Sequence, residues 1–155
     1  MQIAVIDFAR HVVGLGDANS REFAIESQNK VIDIMEGQIG YENTGGSMRL
    51  GAYECKIAEK SVLARAYGLP SVWERHRHRY EFNNAYRALF TELGLTICGE
   101  SPDGTLVEAV ELDDKRFHVG VQYHPEFKSR PHRPHPLFTE FIAQSLKNRA
   151  DKKGE

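Results

Sequence analysis

The sequence predicts a mixed α/β or α+β domain folded as one unit. Segments with helical periodicity alternate with short segments of period two along the chain. The 155 residues are 41% hydrophobic and 27% charged, enough apolar material to fill one core. No internal repeat and no long linker divides them. Composition also narrows the function classes. With 20 Lys+Arg against 22 Asp+Glu the formal charge is -2, so there is no general attraction to nucleic acid or to an anionic membrane, and neither is expected as a partner. Apolar runs stay far below the roughly 20 residues that span a bilayer. The first residues also lack the basic stretch and apolar core of a signal peptide, which makes a cytoplasmic location the expectation. Two cysteines, Cys55 and Cys98, are too few for a disulfide framework and suit a reducing compartment.

Met1 to Val13 reads as a helix with Met1, Val5, Phe8, Ala9 and Val12 on one face, stopped by Gly14. It has no capping residue before it and no acid in its first turn. Residues 14 to 30 are polar and form a loop that carries Glu22, and Val31 to Met35 is a short strand. After a turn at Gly45-Gly46, Met48 to Ile57 alternates, with Tyr53, Cys55 and Ile57 on one side. Ser61 can cap a short helix that Gly68 ends. Glu74 to Asn83 (ERHRHRYEFN) is too charged for a core element. Asn83 or Asn84 then caps a helix to Leu93 with Leu89, Phe90 and Leu93 inward. Three strands follow, Leu95 to Cys98, Leu106 to Leu112 and Arg116 to Tyr123, separated by Ser101-Pro102-Asp103-Gly104 and Asp113-Asp114. Beyond His124-Pro125-Glu126 and a Pro/His-rich loop, the last helix turns Leu137, Phe138, Phe141, Ile142 and Leu146 inward.

Four features are candidates for chemistry. An imidazole just past a buried strand with a carboxylate two residues later, His124-Pro125-Glu126, suits an oriented general base. Its bland alternative is a surface or satisfied core histidine. Arg75-His76-Arg77-His78-Arg79-Tyr80 sets three guanidiniums within five residues, which can hold a carboxylate or phosphate, or can be a solvated edge. The seven histidines match no zinc spacing, so no metal site is expected. Cys55 and Cys98 lie on apolar stretches, as inert core thiols do.

Taken together, G-G-S-M-R-L-G (Gly45 to Gly51), E-R-H-R-H-R-Y-E-F-N-N (Glu74 to Asn84), S-P-D-G (Ser101 to Gly104) and V-Q-Y-H-P-E-F-K-S-R-P (Val121 to Pro131) closely resemble the class I glutamine amidotransferase domain of the CTP synthase family. The opening M-Q-I-A-V-I-D-F-A-R and N-S-x-E-F at Asn19 to Phe23 fit the same family, so the resemblance runs from Met1 to about Leu146. It implies the C-terminal portion of that fold, a central, mainly parallel or mixed sheet with flanking helices, and leaves the N-terminal strands and the synthetase domain outside the chain. Residues 1–148 would be the partial amidotransferase domain and residues 149–155 a charged tail.

The resemblance also implies an activity. In the family a Cys on a strand-to-helix elbow attacks the side-chain amide of glutamine, and ammonia passes to a synthetase domain that aminates UTP to CTP with ATP and Mg2+. By position, His124 resembles the base and Glu126 its orienting carboxylate. Glu22 and Arg79 match residues that hold the glutamine backbone, and Gln2 matches a further pocket position. The implied partners are L-glutamine, the synthetase domain or a full-length CTP synthase, and further copies in a homo-oligomer. The nucleophile belongs to a G-x-C-L-G-M-Q motif, and this chain starts at its Met-Gln, which puts the Cys three residues before Met1. The expectation is therefore little or no glutaminase activity from this chain alone. A non-catalytic glutamine-binding or partner-docking protein is the alternative, and a replacement nucleophile at Cys55 or Cys98 a third.

Overall fold

The computed structural model describes residues 1–34 and 48–152. Within them the chain runs α1 (Gln2–Phe8), β1 (Asn19–Ser20), β2 (Lys30–Ile34), β3 (Arg49–Ile57), α2 (Val62–Tyr67), β4 (Ser71–His78), β5 (Tyr80–Phe82), α3 (Arg87–Glu92), β6 (Leu95–Glu100), β7 (Val107–Leu112), β8 (Val119–Val121) and α4 (Pro136–Asp151). The end of the strand expected at Met35 and the Gly45-Gly46 turn lie outside the described residues.

The strands form two sheets. One is β1-β2-β5, with β1 parallel and β5 antiparallel to β2. The other is β4-β3-β6-β7-β8, antiparallel throughout. Among the described strands, then, β1–β2 is the parallel pair, and the mixed form of the expected sheet is the one present. The larger sheet curls until its outer strands meet: the backbone N–H of His124, just past β8, donates to the carbonyl of Arg75 in β4 at 2.8 Å. Curling leaves an enclosed interior between the strands.

Two apolar clusters flank that interior. Phe90 of α3 anchors the first, with its ring 5.5 Å from Phe8 and 5.6 Å from Phe82, beside Val5, Ile6, Ile32 and Leu95. The second gathers Cys55, Ile57, Leu63, Val72, Cys98, Ala109, Tyr123 and Leu137 under α2 and the start of α4. The caps read from sequence are present. The Ser61 side chain accepts from the Ala64 N–H, Asn83 accepts from Ala85, and Gly14 and Gly68 take the left-handed conformation (φ 84° and 65°) that glycine adopts without strain. A buried carboxylate adds a cap that periodicity does not show: Glu111 of β7 accepts from the N–H groups of Val62 and Leu63, at 3.0 and 3.2 Å.

Several expectations need correction. The charged Glu74 to Asn83 segment is not peripheral; it forms most of β4 and all of β5, with Glu74, His76 and Glu81 buried. Strand alternation puts Arg75 and Arg77 in solvent and turns the acids and imidazoles toward buried partners. In the first helix Ile6 is buried and Val12 exposed, because Ala9–Val13 opens into a π-turn that rotates the later residues out of phase. A 3-10 turn at Asn84–Tyr86 shifts the phase of α3 in the same way, so Phe90 alone is buried while Leu89 and Leu93 face outward. In α4 Leu137 is buried, but Phe138, Phe141, Ile142 and Leu146 are exposed. That helix continues through Asp151, so the first residues of the expected tail are helical.

Candidate active site

His124 leaves β8 where the curled sheet closes, and a 3-10 turn at Pro125–Phe127 follows at once. Proline fixes the entry to this turn, and the Phe127 N–H returns to the His124 carbonyl at 3.1 Å. Folding back in this way brings Glu126 Oε1 to 2.7 Å from His124 Nδ1. Burial raises the Glu126 carboxyl, but its own backbone N–H and the His124 and His135 interactions together outweigh this and hold it below the ordinary glutamate range. An ionised carboxylate can only accept, so Nδ1 carries the proton and Nε2 is left as the basic nitrogen. The Phe127 ring stacks on the imidazole, with centroids 5.0 Å apart. Lys128 donates to the Trp73 carbonyl and to the buried Glu74 carboxylate, which ties the turn to β4.

His124 lines a cleft of about 850 Å³. The start of α1, the loop carrying Glu22, the corner between β4 and β5, and the end of β8 form its walls. Gln2, Glu22 and Arg79 all line it, so four of the five residues singled out in the sequence meet at one opening. Glu126 is the fifth, and it stands behind His124. Gln2 Nε2 donates to the Tyr80 carbonyl at 3.0 Å. The Glu22 loop is closed by Asp17, whose carboxylate accepts from Gln28 N–H at 2.9 Å and from the Asn29 side chain at 2.6 Å. Arg79 occupies the single residue between β4 and β5. A carboxylate and a guanidinium facing one opening suit an amino-acid zwitterion.

Met48, Arg77, His78 and Gln122 also line the cleft; Arg77 and His78 belong to the Arg75-to-Tyr80 block flagged in the sequence, whereas Met48 and Gln122 were missed. Gln122 had a detectable signal: it is a polar residue on the alternating strand that delivers His124. Cys55 and Cys98 are fully buried in the second core and outside the cleft. Burial pushes the Cys55 thiol up to about 12 and raises Cys98 as well, so neither supplies a thiolate. Among the described residues no group of three or more His, Cys, Asp or Glu is placed to hold a metal ion.

Where β4 passes into β5, burial pushes the Glu81 carboxyl up to about 8 and the His78 imidazole down to about 4. An unfolded glutamate ionises near 4.5. As pH rises from there through about 8, the unfolded chain loses a proton that the folded chain keeps, and stability falls. An unfolded histidine takes its proton near 6.5. As pH falls from there toward about 4, the unfolded chain gains a proton that the folded one refuses, and stability again falls. Between about 4.5 and 6.5 the two slopes oppose each other; above that range the Glu81 slope is opposed only by the Met1 ammonium, which burial lowers from 8.0. Denaturant melts from pH 6.5 upward are expected to show stability declining by up to about 1.4 kcal/mol per unit until near pH 8, and Glu81→Gln to remove the decline. Wild-type and Glu81→Gln profiles of equal slope would contradict this assignment.

Residues 1–144 match the family model for glutamine amidotransferase class-I. The chain belongs to that family. Amidotransferase chains similar to it include the CTP synthase of Carboxydothermus hydrogenoformans, 58% identical over 147 residues, and that of Rubrobacter xylanophilus, 57% identical over 146 residues. These alignments cover 95% and 94% of this chain but 28% and 26% of the relatives, so the chain spans about a quarter of their length. Among solved structures, the glutaminase domain of Trypanosoma brucei CTPS with bound acivicin superposes with a TM-score of 0.88 at 42% identity, covering 95% of this chain and 57% of that one. A Thermoplasma acidophilum protein assigned as a GMP synthase subunit, with 16% identity and a TM-score of 0.51, shares the fold over 69% of this amidotransferase chain and 49% of its own. No helix among the described residues is long and apolar enough to cross a membrane.

Proposed function

We propose that this chain carries the acid-base and substrate-holding half of a glutamine-hydrolysing site that supplies ammonia to a CTP synthase. The observation that carries the reading is the His124–Glu126 pair, 2.7 Å apart, at the mouth of a cleft whose walls present Arg79 and Glu22. Arg79 takes the α-carboxylate of glutamine, Glu22 its ammonium, and Gln2 completes the pocket. Both cysteines of the chain lie in its core, so the attacking thiol comes from outside these residues and the chain by itself does not turn glutamine over.

With that thiol in place, His124 Nε2 takes its proton, and the sulfur adds to the side-chain amide carbon of glutamine. The imidazolium, stabilised by the Glu126 carboxylate, passes the proton to the departing nitrogen, which leaves as ammonia and leaves a thioester behind. The same Nε2 then deprotonates a water molecule, which cleaves the thioester, and glutamate and the free thiol are regenerated. ATP and Mg2+ serve the amination of UTP, which we assign to the synthetase segment of the relatives; no step here passes through them. Assembly with that segment in a cytoplasmic homo-oligomer fits the high identity to CTP synthases.

Calorimetric titration of the chain with L-glutamine tests the pocket without requiring turnover. Binding is expected, and Arg79→Ala is expected to weaken it by roughly 10- to 100-fold through loss of a charge-assisted contact. A wild-type chain that takes no glutamine, or an Arg79→Ala variant that binds as well as wild type, overturns the reading.

A further inference from the structure

Arg79 stands at an unusual joint. It is the single residue between β4, which belongs to the five-stranded sheet, and β5, which belongs to the three-stranded one. His78 before it is registered against Arg49, and Tyr80 after it against Ile34. Neither ladder by itself sets the angle between the two sheets, and so neither sets where Arg79 points.

The carbonyl of Tyr80 is held at this corner from two directions. Gln122 Nε2 reaches it from β8 at 2.7 Å, and Gln2 Nε2 reaches it from α1 at 3.0 Å. Gln122 spends its second N–H on His78 Nδ1, at 2.9 Å. With Nδ1 as acceptor, the tautomer assigned from this network, both amide hydrogens are used and the orientation of the amide is fixed. The His78 side chain is 8% exposed and Gln122 is buried, so water does not substitute for these bonds. Gln122 also lies two residues before His124 on the same stretch of chain, and its backbone N–H donates to the Glu108 carbonyl at 2.8 Å. One amide thus links the strand that delivers the base to the corner that delivers the guanidinium.

We infer that Gln122 is a positioning residue for the amino-acid substrate: together with Gln2 it clamps the Tyr80 carbonyl and so sets the position of Arg79 relative to His124. This rests on the glutamine reading of the cleft. A role limited to stabilising the fold predicts the same loss of affinity whatever residue stands at 79. A positioning role predicts that the effect of Gln122 disappears once the group at 79 no longer makes a directed, two-pronged contact.

The test is a double-mutant cycle read by calorimetric titration of the chain with L-glutamine. Gln122→Met keeps the length of the side chain and removes both donors. In the Arg79 background it is expected to weaken binding by about tenfold, and in the Arg79→Lys background by less than about twofold. If Gln122→Met does not fold, Gln122→Asn, whose amide stops short of the corner, is put through the same cycle with the same expectation. Equal losses in both backgrounds, or no loss in either, overturn the positioning role while the pocket reading stands. Absence of glutamine binding by the wild-type chain overturns both.

Discussion

His124→Ala abolishes glutamine-dependent CTP formation and leaves the ammonia-dependent reaction intact when this chain replaces the matching segment of the Carboxydothermus hydrogenoformans CTP synthase. At 58% identity the replacement preserves the surroundings of the segment, and on the proposed reading the rest of the host provides the thiol and the synthetase. The loss in the glutamine reaction is expected to be on the order of 10^4-fold or more, because base and nucleophile act as one unit. Removing the imidazole strands the proton of the thiol and denies the departing nitrogen its own proton. Free ammonia needs neither transfer, so the synthetase reaction is spared. The selectivity is the decisive readout: an equal fall in both reactions would mean that His124 supports the fold or the domain contact, and retention of a tenth of the glutamine activity would mean that another group is the base.

The geometry of the candidate site was legible because short-range features determine it. Alternation delivered His124 to the end of a strand, the proline folded Glu126 back onto it, and the glycine and serine caps fell where local geometry requires them. Phase errors arose where one local irregularity re-indexed everything after it. The π-turn at Ala9–Val13 turned Val12 outward, and the 3-10 turn at Asn84–Tyr86 did the same to Leu89. Neither irregularity leaves a compositional mark. The largest miss, the charged stretch that became β4, has a different cause. Periodicity assigns Glu74 and His76 to water because their partners, His135 and Glu108, lie elsewhere in the sequence. Only the closure of the sheet, which carries β4 round to β8, brings those pairs together.

That closure is where a single substitution is expected to do most damage to the fold. Glu108 of β7 is fully buried, and it faces two cationic or potentially cationic partners from the far side of the curled sheet: the Arg49 guanidinium of β3 and, at 2.7 Å, Nε2 of His76 in β4. Burial raises the Glu108 carboxyl, but the His76 and Arg49 interactions outweigh this and hold it below the usual glutamate range, so it is ionised. The two partners are themselves enclosed. Arg49 lies over the Tyr53 ring at 4.4 Å, and the His76 ring packs edge-on against Tyr53 and Tyr123. Glu108→Ala leaves the Arg49 guanidinium in low dielectric without its ion-pair partner and is expected to cost about 3–5 kcal/mol, a large part of the roughly 5–15 kcal/mol that a domain has. Glu108→Gln, which keeps the shape and an acceptor, is expected to cost less. Because β4 runs on from His76 through His78 to Arg79, the alanine variant should also lose glutamine affinity at temperatures where it remains folded. Urea denaturation of the two variants measures the first effect and titration the second. A Glu108→Ala chain within about 1 kcal/mol of wild type would show that water enters the curled sheet and solvates Arg49, and the interior would then have to be regarded as wet. Replacing all three partners with apolar residues of matched volume separates the net worth of the cluster from the damage of breaking it. Stability is expected to return, since a buried ion pair contributes little over a well-packed apolar substitute. The His76 contact that steadies the end of β4 would be gone, and glutamine affinity is expected to stay low.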